Sequence, residues 1–184
     1  MRRFISLLIL AIAASLLVAA PVLAEERSCR GTIGAVTVDN LRVPQEATCI
    51  LVGTRVKGTI KVERGAKLKA SHVRVVGNVQ AENHRRVALR ESVIGGSVQI
   101  KQGRSAVVSD NRITGDLQFD ANRRAIEARR NVINGSLQAF SNTGGIVISR
   151  NRIDGNLQCK SNQPRPTGGG NIVDGNKEDQ CARL

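Results

Sequence analysis

Asp154 and Asp174 each stand directly before a Gly-Asn pair, twenty residues apart. If one turn of the chain takes about twenty residues, the two carboxylates occupy the same position on neighbouring turns, roughly 5 Å from each other. A pair at that distance can serve as acid and nucleophile at a glycosidic bond, or hold a hard cation. Arg152 lies beside them and offsets their charge, so the competing reading is two solvated turn residues. Asp110, Asp116 and Asp120 are close in sequence but fall at different positions of the turn, and are not expected to converge.

The basic side chains are the stronger lead. The same spacing places Arg55, Arg74, Arg112 and Arg152 at one outward position, and Arg130 and Arg150 at another near a corner. Arg85, Arg86, Arg123, Arg124 and Arg129 are expected on the same general side. Guanidiniums repeated at multiples of a turn match a repeating polyanion better than one small ligand. The bland alternative is solubility and protection of strand edges. His72 and His84 do not share a turn position and have no cysteine or carboxylate partner at ligand spacing, so no metal site and no cofactor are expected. No Ser-His-Asp arrangement is apparent, and Gly168-Gly169-Gly170 lacks the Lys and helix of a phosphate loop.

Composition narrows the setting. The chain has 184 residues, no Trp, no Tyr and an aromatic share of 2%, so its core must be aliphatic. Met1-Arg2-Arg3, the apolar run from Phe4 to Ala20 and the small residues before Glu25-Glu26 read as a signal peptide cleaved after Ala24, the alternative being a retained membrane anchor. Beyond residue 24 there remain 26 basic against 15 acidic side chains, a net charge of +11. Such a surface attracts polyanions. Four cysteines in an exported chain imply two disulfides in an oxidising compartment, secreted or periplasmic.

A repeat must position all of these residues. Gly58, Gly77, Gly96, Gly115, Gly135, Gly155 and Gly175 recur at steps of 19, 19, 19, 20, 20 and 20 residues, each inside an apolar alternation such as Ile113, Gly115, Leu117 and Phe119. Alternation is the period of a strand with one buried face. A second apolar pair follows in each turn: Leu68/Ala70, Val87/Leu89, Ala106/Val108, Ile126/Ala128 and Ile146/Ile148. The pattern predicts an all-β, single-stranded right-handed parallel β-helix of about eight coils, its domain spanning residues 25–184 and its coils about 36–179. The hand is inferred from the coil length, the Asn corners and a family resemblance.

Stacked coils turn recurrent residues into ladders. Asn111, Asn131, Asn151 and Asn171 mark one corner and Asn122, Asn142 and Asn162 another, where Asn is expected to take left-handed turn geometry and to hydrogen-bond along the axis. Gln80, Gln99, Gln118, Gln138 and Gln158 form an outward file. The recurrent glycine implies a bend or a close approach that a Cβ would obstruct. Cys49 is in register with Leu68, and Cys29 precedes the first coil; Cys159 is in register with Phe119 and Ala139, and Cys181 follows the last coil. The expected bridges are therefore Cys29-Cys49 and Cys159-Cys181, one capping each end. Residues 163–170, rich in Pro and Gly, read as a loop.

The tail Gly155-Asn156-Leu157-Gln158-Cys159, then Pro164 to Asn171, then Gly175-Asn176-Lys177-Glu178-Asp179-Gln180-Cys181, resembles secreted right-handed parallel β-helix proteins of bacteria, most of which carry no assigned activity. The architecture also resembles pectate lyase-like β-helices and, more weakly, bactofilins. The resemblance implies the fold and the exported setting; fold does not carry function. Pectin-degrading members use clustered outward acids, for which Asp154 and Asp174 are the nearest equivalent. Against catalysis stand the nearly bare coils, which build no groove, and the lack of aromatic platforms beyond Phe119 and Phe140.

The leading expectation is a non-enzymatic, monomeric scaffold whose basic face engages an anionic polymer of the envelope or matrix. A small polysaccharide lyase or hydrolase is the alternative, and end-to-end association is a third reading that disulfide caps oppose. Missing aromatics and the export signal count against nucleic acid. No segment after residue 24 is long and apolar enough to span a bilayer.

Overall fold

Alternation, closely spaced corners and a 19–20-residue step leave the chain one way to bury its apolar residues: by stacking coil on coil. A computed structural model describes residues 25–184; the predicted leader, residues 1–24, lies outside the described residues. The coil at residues 117–133 is representative. Leu117–Asp120 points Leu117 and Phe119 inward and leaves Gln118 and Asp120 outside, Ile126–Arg129 does the same with Ile126 and Ala128, and the short strand Val132–Ile133 turns Ile133 inward.

All strand pairings are parallel, and each strand pairs with its equivalent one coil away. Three sheets result. Sheet A has nine strands, from Glu26–Ser28 to Lys177–Asp179; sheet B has eight, from Thr32–Ile33 to Thr167–Gly169; sheet C has eight, from Thr37–Val38 to Ile172–Val173. The molecule is thus an all-β parallel solenoid of about eight turns, and no helix among the described residues is long and apolar enough to cross a membrane. Leu41, Ile60, Val79, Val98, Leu117, Leu137 and Leu157 form one fully buried column. Each contributes roughly 1.5–3 kcal/mol by leaving water.

Both asparagine corners are ladders. Each Asn Oδ1 accepts from the backbone N–H and from the Nδ2 of its counterpart one coil earlier, at 2.9–3.1 Å, along Asn111, Asn131, Asn151 and Asn171 and along Asn122, Asn142 and Asn162. The left-handed residue at these corners is the one before the asparagine: Asp110, Arg130 and Arg150, and Ala121, Ser141 and Ser161, have φ between 52° and 61°. The expectation that Asn itself takes that conformation is corrected. Its predecessor makes the bend, which leaves the amide free to point inward and along the axis.

A third ladder runs most of the length of the rod and is made of mixed residues. Asn40, Thr59, Asn78, Ser97, Asp116, Ser136 and Asn156 each accept, on a side-chain oxygen, the backbone N–H of the next residue in that column, at 2.8–3.3 Å. This explains the recurrent glycine. A Cβ on Gly96, Gly115, Gly135, Gly155 or Gly175 would lie under 3.0 Å from the ladder oxygen one coil before, so close approach, and not a left-handed backbone, excludes a side chain.

The coils begin earlier than residue 36. Glu26–Ser28 pairs with Asn40–Val43, so Cys29 belongs to the first coil and does not precede it. The predicted loop 163–170 is also partly corrected: Thr167–Gly169 continues sheet B beside Val147–Ser149. Gly168 can pair there because the Ile148 carbonyl sits where a Cβ would project. The glutamine file faces outward but is broken, with bonds Gln80 to Gln99 (3.3 Å) and Gln138 to Gln158 (3.1 Å), and Gln158 passing on to Glu178 (2.8 Å).

Both bridges have the expected partners. Cys29–Cys49 and Cys159–Cys181 have Cα–Cα distances of 5.5 and 5.2 Å, and all four cysteines are buried. Two structural disulfides fit an oxidising compartment. At the C-terminal end Gln180 substitutes for an asparagine: its Oε1 accepts from the Asn162 backbone N–H (2.8 Å) and Nδ2 (3.1 Å), and Leu184 packs on the core.

Candidate anion-binding surface

Sheet C carries the first arginine row. Arg55 pairs in register with Arg74, and Arg112 and Arg152 occupy the same outward column, but Val93 and Val132 interrupt it. Arg74, Arg112 and Arg152 therefore stand two coils apart, about 10 Å. The carboxylates Asp154 and Asp174 do lie one coil apart, and Arg152 reaches both, at 3.9 and 3.3 Å. All three side chains are close to half exposed, so the cluster is a solvated ion triad with its charge internally offset. Asp110 is far from this cluster. Arg130 grips it with Nε and Nη2, which holds the carboxyl below the usual carboxylate range. Arg130 is thereby neutralised, while Arg150 at the same corner makes no ion pair among the described residues.

The corner between sheets A and B is different. Backbone bonds from Arg85 to Ala66, from Arg104 to His84 and from Arg123 to Gly103, at 2.9–3.0 Å, put the three arginines at one position on three consecutive coils. Their side chains are exposed at a spacing of about 4.8 Å. With Arg64 and Arg124 they line a cleft of about 580 Å³ whose only carboxylate is Glu46. None of these five arginines makes an ion pair among the described residues. This corner is the one that sheet C does not share. Arg85, Arg86, Arg123 and Arg124 thus do not extend the sheet C row, as the sequence reading has it; a sheet B strand, about 13 Å long, separates them from Arg129 and Arg130.

His84 forms the floor of that cleft. It holds the column that Asn122, Asn142 and Asn162 occupy further on, and its imidazole fills the space over Gly103 where no Cβ competes. It is 1% exposed, and neither ring nitrogen makes a hydrogen bond of ordinary geometry. Burial lowers its pKa from 6.5 to about 4, the Ser105 backbone opposing weakly. The imidazole is therefore neutral at neutral pH, and the charge of the cleft is that of its five arginines and Glu46. His72, by contrast, is an exposed partner of Glu91 at 2.6 Å. Among the described residues no group of three or more His, Cys, Asp or Glu side chains is placed to hold a metal ion.

Comparison with family models, with curated proteins and with solved structures finds no match. The reading of this surface therefore rests on its own geometry.

His84 gives the fold a distinctive acid response. Its folded pKa lies below its unfolded one, so as pH falls the unfolded chain takes up the proton first. Stability contributed at neutral pH begins to decline near pH 6.5, and the loss is complete near pH 4. The expected loss is ~3 kcal/mol. Urea unfolding at pH 7, 5.5 and 4 should show that decline in the natural protein and a much flatter one in His84→Asn; equal slopes would show that His84 is not responsible.

Proposed function

We propose that this chain is an exported, non-enzymatic β-helical scaffold that binds an acidic polysaccharide of the cell envelope or matrix. The observation that carries the reading is the row of Arg85, Arg104 and Arg123, one arginine on each of three consecutive coils with no carboxylate partner, unlike Arg130 and Arg152, which are ion-paired. Free guanidiniums repeated at a strand spacing present a regular set of forked donors to carboxylate or sulfate groups. A rigid solenoid fixes their spacing before the ligand arrives, which lowers the ordering cost of binding. The near absence of aromatic side chains disfavours single-stranded nucleic acid, which is held by stacking as well as charge. The disulfides and the predicted leader support a site of action outside the cytoplasm, secreted or periplasmic.

The test is retention of the oxidised protein on polygalacturonate, neutral dextran and a single-stranded oligonucleotide of matched charge, at low and high salt, with product release assayed in the same tubes. Retention on polygalacturonate that falls steeply with salt, none on dextran and no product is the expected result. Tighter binding to the oligonucleotide would overturn the polysaccharide reading. Product formation lost in Asp154→Ala and Asp174→Ala would make the protein a small lyase or hydrolase.

A further inference from the structure

The basic surface does not stop at the corner row. On the outer face of sheet B, strand Lys67–Ser71 carries Lys67 and Lys69, and strand Arg86–Arg90 carries Arg86 and Arg90; all four side chains are exposed, and none makes an ion pair among the described residues. Lys67 lies directly opposite Arg86, about 4.8 Å away. A recess of about 550 Å³, lined by Lys67, Arg85, Arg86, Arg104, Ser105 and Arg124, joins these strands to the corner with no carboxylate in its wall. The strands to either side are neutral: Thr48, Ile50 and Val52 face outward on one, Ser105 and Val107 on the other. Further along the sheet, Arg129 is engaged by Glu127 at 2.8 Å. The free cations of sheet B therefore form a band two strands wide that runs across the rod, about 13 Å from Arg86 to Arg90. It ends where carboxylates return, at Glu91 with His72 and Asp110 with Arg130.

Solubility and edge protection do not account for this band. Both strands are paired on both sides, so they have no free edge to guard. Like charges directly opposite each other across a strand pair destabilise it, and Lys67 and Arg86 stand that way with no acid between them. We infer that a bound acidic polysaccharide crosses the rod: it enters at the corner cleft, fills the recess and continues over sheet B along Lys67–Ser71 and Arg86–Arg90, with its acid groups on Lys67 and Arg86 first and on Lys69 and Arg90 beyond. That direction leads towards Arg74 on sheet C. The inference rests on the polysaccharide reading above and goes beyond it, since the corner row alone would align the polymer with the rod axis.

The experiment is single-hit lysine acetylation of the natural, oxidised protein at low salt, with and without saturating polygalacturonate, read by peptide mass spectrometry alongside the bound fraction by sedimentation. Lys67 and Lys69 should be acetylated at least ~5-fold more slowly with polymer, while Lys61, Lys101 and Lys160 on sheet A change by less than ~2-fold. A second measurement compares Lys69→Ser/Arg90→Ser, at the far end of the band, with the charge-matched Lys61→Ser/Lys101→Ser. The first should bind about fivefold more weakly than the natural protein and the second within about twofold. The labelling needs no variant, so it decides the matter even where a variant fails to fold. Binding with Lys69 protected no more than Lys101, or equal affinities for the two variants, overturns the crossing and leaves the binding reading intact. Absence of any binding by the natural protein overturns the binding reading itself.

Discussion

Asn142→Ala should lower the stability of the rod by about 3–5 kcal/mol. Asn142 is fully buried; its Nδ2 donates to the Phe119 and Phe140 carbonyls and to Asn162 Oδ1 at 2.9–3.0 Å, and its Oδ1 accepts from the Asn122 N–H and Nδ2 at 3.0 Å. Truncation strands several buried donors and acceptors at once, each costing about 1–3 kcal/mol before water or relaxation recovers part of it. Gln138→Ala, which removes an amide of the outward file, should cost less than ~0.5 kcal/mol. Urea midpoints with unchanged slopes would measure both. Similar values for the two would mean that the buried ladder is not what holds the corner.

Removing the C-terminal bridge, as Cys159→Ala/Cys181→Ala, should cost about 3 kcal/mol and lower the melting temperature by roughly 6–12 °C. The effect has a location as well as a size. Cys181 anchors the segment that brings Gln180 to Asn162 and Leu184 to the core, so the last coil loses both its polar and its apolar cover. In a solenoid each coil contacts only its neighbours, and loss of an end cap frays the rod from that end. Amide exchange should accelerate first across residues 157–184 and leave the middle coils protected. Uniform acceleration would contradict the picture of an end cap.

How much of this was legible in the sequence depended on whether like residues recur in like positions. The glycine step and the two asparagine columns repeat one letter, so the coil, its register and the cysteine partners follow from spacing. The third ladder mixes Asn, Thr, Ser and Asp. These side chains perform one task, accepting a backbone N–H, but share no letter, and the signal that betrays the ladder is the glycine beside it. The row of Arg85, Arg104 and Arg123 steps by 19 residues, as the local glycines do, and is readable in the same way. Its importance is not, because ionic state is settled by which side chains meet across coils. Arg130 finds Asp110 directly beneath it and Arg152 finds two carboxylates, whereas the columns next to the corner row offer only Glu46. The place of His84 was not legible for a related reason: the sequence shows no ligand partners for it, but not that it fills an asparagine's place in a buried column.

The central claim is that free arginines at the A/B corner, and not net charge alone, hold the polymer. The measurement that tests it most directly is the affinity for polygalacturonate, at fixed low salt, of Arg85→Ser/Arg104→Ser/Arg123→Ser against the charge-matched Lys61→Ser/Lys101→Ser/Lys160→Ser on sheet A. At roughly 0.5 kcal/mol for each exposed contact, the corner variant should bind about tenfold more weakly, with the sheet A variant within about threefold of the natural protein. Equal losses in the two variants would show that the polymer responds only to overall charge, and would contradict the account.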